Sequence, residues 1–266
     1  MLAVVRDESL RHYRADPMEP DRLSLLHEVV DAVSAVMAAV TDLGPSGRRT
    51  GQYAFDLVAD EAALGVLRRA GVAVLSEETG LLPGATDEIV VLDPVDGSTN
   101  ASRSIPWFAT SVCLVDRDGP AAAVVANLAT GVRWSAVRGG GAWCDGTGIA
   151  PSGCIDLSSA IVGLNGLPPG RIGCAQTRSL GALALDLCAV ASGMLDGYVD
   201  WVDDNHGPWD YMAGWLVCRE AGAVVAEGLG RDLLVLEHAA RRAPVAAATP
   251  ALLADLLALR SAPTQR

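Results

Sequence analysis

Apolar residues recur every three or four positions between residues 21 and 40, which predicts an amphipathic helix with Asp21 at its N-terminal cap. The same spacing predicts a second helix over residues 55–69, which ends before Gly71. A short apolar run at residues 72–75 then predicts a strand. The folded part of the chain is therefore expected to begin with two helices and a strand.

Four further apolar runs are typical of strands. Residues 89–92 are rich in β-branched side chains and are bounded by turn-forming residues, so they predict a buried strand. Three more strands are expected at residues 108–115, 121–129 and 131–139. Because the turns between them, DRDGP and ATG, are short, these strands are expected to form an antiparallel meander.

The second half of the chain has a different pattern. A short strand at residues 160–165 is followed by predicted helices over 179–195 and 209–222. Such alternation favours an α/β layer, and we place the division near residue 150. The first 20 residues are polar and contain two prolines, so we expect an arm. The predicted organisation is an N-terminal arm, an α+β subdomain and an α/β subdomain, at residues 1–20, 21–150 and 151–266.

Composition and charge exclude several classes of protein. The chain has 266 residues and a formal net charge of −12 at pH 7, which argues against a nucleic-acid partner because such binding requires a positive field. The six cysteines form no C-x-x-C pair and are expected to be reduced thiols of a cytoplasmic protein. No stretch is long and apolar enough for a signal peptide or a membrane span, so we expect no membrane association.

Acidic residues lie at the ends of predicted elements. They are Glu77 and Glu78 after the first strand, Asp93 and Asp96 after the buried strand, and Asp56 and Asp210 in first helical turns. Carboxylates that converge are stable only beside cations. The four histidines lack zinc-ligand spacing, so oxygen ligands favour Mg²⁺ or Mn²⁺. Taken alone, Asp56 and Asp210 could each be a helix cap, and that alternative stays open.

The stretch DPVDGSTN at residues 93–100 also has the character of an anion site. Pro94 and Gly97 bend the chain, and Ser98 follows them with a hydroxyl group and a free helix N-terminus. Backbone N–H groups at such a terminus bind phosphate oxygens. Two acids for metals and an N–H cradle for an anion predict a metal-assisted phosphate site.

Three stretches resemble the inositol monophosphatase family of metal-dependent, lithium-sensitive sugar phosphatases. SEE at 76–78 is similar to the family's Gly-Glu-Glu, DPVDGSTN at 93–100 to its Asp-Pro-Ile-Asp-Gly-Thr-Thr-Asn, and WDYMAGWLVCREAG at 209–222 to its Trp-Asp helix. Softer matches lie at 138–146 and 178–198. The resemblance implies an α/β protein built as a layered α-β-α-β-α sandwich, and a homodimer.

The resemblance also implies two Mg²⁺ sites, at which Mn²⁺ could substitute. Glu77, Asp93 and the carbonyl of Val95 would hold the first ion. Asp93, Asp96 and Asp210 would hold the second. Asp93 is therefore expected to be shared by both ions.

Substrate and water would be held by neighbouring residues. By the same resemblance, Gly97 and Ser98 would donate backbone N–H groups to the phosphate, while Glu77 and the Ser98 hydroxyl would orient and activate the attacking water. One acid before the Trp-Asp helix would contact sugar hydroxyls. Counting from Gly181 gives Asp200, whereas counting back from Asp210 gives Asp203, so both stay candidates.

Departures from the family pattern weaken other assignments. Tyr53 stands where the family usually has Thr, so Asp56 is only a weak candidate ligand for a third ion. Glu78 and Gly181 lie inside matching motifs but receive no firm role. The stretch DWVDDNHGPWD at residues 200–210 is longer than usual and indicates a remodelled substrate pocket, which His206 could line.

The expected activity is Mg²⁺-dependent hydrolysis of a small polyol or sugar phosphate, with inositol monophosphate as the first choice. The alternatives are histidinol phosphate, fructose 1,6-bisphosphate and 3′-phosphoadenosine 5′-phosphate as substrates. A non-catalytic binding protein on the same fold is a further alternative, although every acid needed for two ions is present.

Overall fold

The computed structural model describes residues 19–261, with side chains from Arg22 onward. Helix α1 spans Glu19–Met37 and α2 spans Ala54–Ala70. Residues 1–18 of the expected arm lie outside the described residues, and α1 begins at Glu19, two residues earlier than the sequence predicted. Helix α2 ends where Gly71 adopts a left-handed φ of 71°, as its sequence position predicts.

The first sheet has eight strands in the order β2-β1-β3-β4-β5-β6-β7-β8. Its strands are β1 (Ala73–Ser76), β2 (Gly80–Leu82), β3 (Ile89–Asp96), β4 (Ala109–Asp116), β5 (Gly119–Asn127), β6 (Arg133–Val137), β7 (Gly141–Cys144) and β8 (Thr147–Gly148). Strands β3 to β8 form antiparallel neighbours, which confirms the predicted meander, whereas β1 pairs with β3 in parallel. A short helix α3, Ser98–Ser102, follows β3 directly.

The second sheet has five strands in the order β10-β9-β11-β13-β12. Its strands are β9 (Ile161–Asn165), β10 (Gln176–Arg178), β11 (Gly197–Asp200), β12 (Val224–Glu227) and β13 (Pro244–Ala247), and a 3₁₀ turn at Leu157–Ser159 precedes them. Three helices accompany this sheet, namely α4 (Leu183–Ala191), α5 (Pro208–Ala221) and α6 (Pro250–Ser261). Strand–helix alternation therefore produces the predicted α/β half.

Three apolar cores lie between five layers, and the central core packs against both sheets that enclose α4 and α5. Val90 and Leu92 pack with α1 and α2, whereas Val91 faces the opposite core with α4 and α5. This alternation is the period of two that a β-strand imposes on its side chains. Helix α6 covers the far side of the second sheet through Leu252 and Leu256. The order helix–sheet–helix–sheet–helix is the predicted layered sandwich.

Helix α4 is shorter than the predicted range of 179–195 because the residues before and after it contact other segments of the chain. The Asn100 side chain donates to the carbonyl oxygen of Leu180 over 2.8 Å, which holds that residue in a loop before the helix. Gly193 has a φ of 69° and lies against the backbone of Ser152, which ends the helix early. Within residues 19–261, no helix has the length and apolarity needed to span a membrane.

Candidate active site

Two parallel strands bring the first acids together. Ser76 at the end of β1 is in register with Leu92 of β3, and the Glu77 N–H donates to the Leu92 carbonyl over 3.1 Å. Glu77 therefore leaves β1 at the level where Asp93 continues β3. Because strand ends hold the backbone rigidly, these two carboxylates are fixed side by side.

Helix α5 supplies the third acid. Pro208 occupies its first turn, where a missing N–H costs no helical hydrogen bond. The Gly207 N–H donates to Asp210 Oδ2 over 2.8 Å, which fixes that carboxylate. The buried Ser111 hydroxyl on β4 donates to the Trp209 carbonyl over 2.9 Å, so the start of the helix is tied to the first sheet.

Glu77, Asp93 and Asp210 form the centre of the site. Each offers a carboxylate oxygen, and these oxygens lie within 4.8 Å of one another. Burial, followed by the charge of Glu77, raises the pKa of Asp93 well above its ordinary value. Burial and the charge of Asp210 likewise raise the pKa of Glu77 to about 8. Three converging carboxylates that repel one another are a donor set that fits hard divalent cations.

Asp96 extends this cluster from the same strand. The register of β3 against β4 shifts between Asp93 and Asp96, which marks a bulge that changes the direction of the chain. Asp96 Oδ2 accepts the Ala184 N–H at the start of α4 over 2.7 Å, so Oδ1 remains for a ligand. Burial and the charge of Asp210 raise the pKa of Asp96 well above its ordinary value. Asp96 thus shares the electrostatic environment of the central three acids.

The Ser98 hydroxyl lies between two acceptors, 2.8 Å from Asp56 Oδ1 and 2.7 Å from the Val95 carbonyl oxygen. Asp56 also caps α2, because its Oδ2 accepts the Tyr53 N–H over 2.8 Å. Burial raises the pKa of Asp56 to about 6, although the Tyr53 N–H and the Ser98 hydroxyl oppose that rise. One carboxylate oxygen of Asp56 therefore caps helix α2, as the helix-cap alternative predicts, and the other contacts the Ser98 hydroxyl.

Gly97 makes the turn between β3 and α3. Its φ of 84° lies in the left-handed region, and a Cβ there would come within 3.1 Å of the Trp107 carbonyl and 3.2 Å of the Gly181 carbonyl. Glycine is therefore required at this position. Ser98 opens α3, so its N–H is among the first-turn donors that have no partner within the helix. Gly181 serves the site as the backbone against which this turn packs.

The two acids left open by counting along the sequence have different surroundings. Asp200 ends β11 and is fully buried, where its Oδ1 accepts from the Asn165 amide at 2.8 Å and from the Val202 N–H at 2.9 Å. Asp203 is 61% exposed and pairs with Arg260. Asp203 is therefore the acid open to solvent, whereas Asp200 is committed to protein partners.

His206 joins Asp200 to the acidic cluster. Its Nε2 lies 3.2 Å from Asp200 Oδ2, and its Nδ1 lies 3.1 Å from Asp210 Oδ2. Burial alone would lower the pKa of His206, but the two carboxylates outweigh burial and raise it. His206, whose side chain is 15% exposed, thus bridges Asp200 and Asp210, a role that its place in a long polar loop did not indicate.

Two further residues at the site carry no signal in the sequence. His238 Nε2 lies 3.0 Å from the Glu77 carbonyl oxygen, although the two residues are 161 positions apart. The Arg49 guanidinium contacts Glu78 Oε2 at 2.8 Å from a segment that the sequence marks only as a loop. Neither contact follows from local spacing, because each depends on how distant loops fold over the strand ends.

Comparison with known proteins identifies the family. Residues 50–262 match the inositol monophosphatase family. A fructose-1,6-bisphosphatase of Pyrococcus furiosus is 33% identical over 207 residues, which cover 77% of this chain and 80% of that protein. A fructose-1,6-bisphosphatase/inositol-1-monophosphatase of Archaeoglobus fulgidus is 34% identical over 226 residues, which cover 81% of this chain and 88% of that protein.

A solved structure agrees with these relatives. That of an extragenic suppressor from Pyrococcus furiosus has a TM-score of 0.78 and 27% identity, and the match covers 88% of this chain and 98% of that one. The sequence match and the shared layered sandwich lead to the same result. The chain belongs to the inositol monophosphatase family of metal-dependent phosphatases.

Proposed function

We propose that this protein hydrolyses the phosphate monoester of a small polyol or sugar, with inositol monophosphate as the first substrate to test. The observation that carries the proposal is the convergence of carboxylate oxygens from Glu77, Asp93 and Asp210 within 4.8 Å. A donor set of this kind, beside a glycine-bent helix start at Gly97, suits a phosphate ester held by divalent cations.

We assign two Mg²⁺ sites to this cluster, and Mn²⁺ is a suitable substitute. Glu77, Asp93 and the Val95 carbonyl would hold one ion, and Asp93, Asp96 and Asp210 would hold the other. When bound, the ions supply Lewis-acid stabilisation of phosphoryl charge and lower the pKa of water. Val95 retains an acceptor site for this purpose, since its carbonyl oxygen has two lone pairs and the Ser98 hydroxyl, which has a single proton, can occupy at most one of them.

The chain's own residues orient the reacting groups. With its proton directed to Asp56 Oδ1, the Ser98 oxygen keeps lone pairs that can accept a hydrogen bond from the attacking water. Glu77 would orient the same water and receive its proton. The backbone N–H groups of Gly97 and Ser98 would hold the phosphoryl oxygens in line with that attack.

Fructose 1,6-bisphosphate is the second candidate substrate. Two relatives are named fructose-1,6-bisphosphatases, one of them also inositol-1-monophosphatase. The Arg241 guanidinium lies 5.0 Å from the centroid of the Trp209 ring, beside the Asp210 helix start, and His238 lies against the same ring. Arg241 and His238 therefore bring basic side chains beside the acidic cluster, and a second phosphate would require such residues.

The test is phosphate release from a panel of sugar and polyol phosphates by purified protein. We expect release with Mg²⁺ and none with a chelator, and relative rates across the panel identify the substrate. A folded protein that releases phosphate from no compound would overturn the enzymatic proposal and support a binding protein instead. Lithium inhibition, a homodimer and a cytoplasmic location stay predictions of the family resemblance.

A further inference from the structure

Arg49 brings a permanent positive charge to the acidic cluster. It lies in the loop between α1 and α2, and its Nη2 is 2.8 Å from Glu78 Oε2 and 3.4 Å from Glu77 Oε1. Its Nη1 is 3.4 Å from the Glu77 carbonyl oxygen. A guanidinium group keeps its charge at any pH at which the protein is folded. Glu77, which we assign to the first ion, therefore has a fixed cation as its neighbour.

Glu78 anchors this arginine. Its side chain is only 3% exposed, and its Oε2 also accepts from the Gln52 amide. Gln52 is in turn held by the Ser46 hydroxyl, which donates to Gln52 Oε1 over 2.6 Å. A buried carboxylate is costly unless it is paired and hydrogen-bonded, so this arrangement requires Arg49 to stay beside it. Glu78 is thus a positioning residue rather than a further metal ligand.

The guanidinium group still has donors for a ligand. It carries five N–H donors, and the three contacts within the described residues use three of them. The side chain is 42% exposed to solvent. Guanidinium groups donate charge-assisted hydrogen bonds to phosphoryl oxygens. Arg49 therefore combines a fixed position with free capacity for an anion.

The charge of the protein makes such a residue useful. The chain carries a net charge of −12, and the site itself is acidic, so a phosphate ester meets a repulsive field on approach. Divalent ions at Glu77 and Asp93 would be partly neutralised by the carboxylates that hold them. Arg49 is paired with Glu78, which lies outside the cluster of Glu77, Asp93 and Asp210. Its charge therefore attracts the phosphate without a bound metal ion.

We propose that Arg49 is a phosphate-binding residue of the active site, held by Glu78 so that its guanidinium donates to the phosphoryl oxygens of the substrate and of the product. This proposal rests on the phosphatase function proposed above and adds a residue to it. Arg49 is expected to hold the anion and to contribute nothing to the binding of the ions.

The experiment compares Arg49→Ala with Arg48→Ala in the full-length protein. Arg48 is exposed and its backbone N–H is 3.1 Å from Ser46 Oγ, so its replacement removes the same charge from the same loop. Calorimetry measures the binding of Mg²⁺ alone and of inorganic phosphate at saturating Mg²⁺. We expect Arg49→Ala to weaken phosphate binding about 10- to 100-fold, while Arg48→Ala changes it less than about 2-fold.

Two further readouts separate anion binding from loop structure. Arg49→Lys should recover part of the phosphate affinity, because it restores the charge without the planar pair of donors. Mg²⁺ affinity of Arg49→Ala should equal or exceed that of the wild type, because a competing cation has left Glu77. Loss of Mg²⁺ binding in this variant would make Arg49 a structural support and overturn the proposal.

The outcomes for Arg49 and for the enzyme are distinguishable. Equal phosphate affinity in the Arg49→Ala and Arg48→Ala proteins would overturn the role of Arg49 and leave the phosphatase function standing. Wild-type protein that binds phosphate through Arg49 but hydrolyses no ester would overturn the phosphatase function instead. Phosphate binding needs no turnover, so either result is obtained without knowing the substrate.

Discussion

Glu77 should make the metal-free protein less stable as the pH rises. Its pKa in the folded protein is about 8, above its ordinary value of 4.5, because burial and the charge of Asp210 disfavour ionisation. A group whose folded pKa is raised stabilises the fold fully below its unfolded pKa, and that contribution is lost as the pH rises through the folded pKa. The loss therefore falls between about pH 4.5 and pH 8. Glu77→Gln, which stays neutral, should remove it.

The size of the effect follows from the pKa and the exposure. Each unit of pKa difference corresponds to about 1.4 kcal/mol, so a rise from 4.5 to about 8 sets an upper bound of about 5 kcal/mol. The Glu77 side chain is 32% exposed, and solvent screens its interactions. We therefore expect about 2 kcal/mol, which for a chain of this size corresponds to about 4 °C in Tm.

The assay is thermal unfolding in chelator at about pH 5 and about pH 8.5, for wild type, Glu77→Gln and a control at Glu61. Glu61 is an exposed acid with 70% of its side chain in solvent, and Glu61→Gln matches the charge change. Between the two pH values the wild type and the control should lose about 4 °C more than Glu77→Gln. Equal losses in all three proteins would refute the reasoning. Mg²⁺ should raise Tm more at the higher pH, since ions and protons compete for the same oxygens.

Three other substitutions test the remaining parts of the site. Asp93→Asn removes a ligand assigned to both ions and should lower phosphate release more than about 100-fold while the protein still folds; near-normal turnover would contradict the assignment. Gly97→Ala places a Cβ within 3.1 Å of the Trp107 carbonyl at a φ of 84°, so Tm should fall by about 4 °C or more, and an unchanged Tm would show that the turn relaxes without strain. His206→Ala removes the ring nitrogen 3.1 Å from Asp210 Oδ2 and should weaken Mg²⁺ binding about 10- to 100-fold in calorimetry, whereas unchanged affinity would mean that the backbone alone orients that carboxylate.

The elements of the fold were largely predictable because their signals are local. The antiparallel strands β3 to β6 follow from apolar runs separated by short turns, whereas β7 was not predicted and the five layers were expected from the family resemblance. Helix boundaries were less predictable where a distant side chain intervenes. Asn100 holds Leu180 in a loop, and no pattern within residues 179–195 records that contact. The shorter α4 is the result.

The residues of the site also differ in how far the sequence predicts their surroundings. Asp93, Asp96 and Ser98 belong to one motif, so their spacing along a strand end already predicted shared cations and an anion cradle. Asp200 and Asp203 could not be separated by counting, and their different exposure appears only in the fold, because Asp200 is buried at the end of a strand of the second sheet. The sequence offered His206 as a possible residue of the pocket lining, and only the fold shows that it lies between Asp200 and Asp210.

The sequence by itself determined which family the chain resembles and thereby the metal-assisted phosphate chemistry that we propose, because the acids after β1 and β3 and at the start of α5 lie in motifs typical of that family. Tertiary structure alone decided how that negative charge is balanced. Arg49 reaches Glu78, and His238 reaches the Glu77 carbonyl, from loops far away in the chain. Electrostatic interactions act through space, so the partners of a charge depend on the folded positions of the loops and leave no periodic trace along the chain.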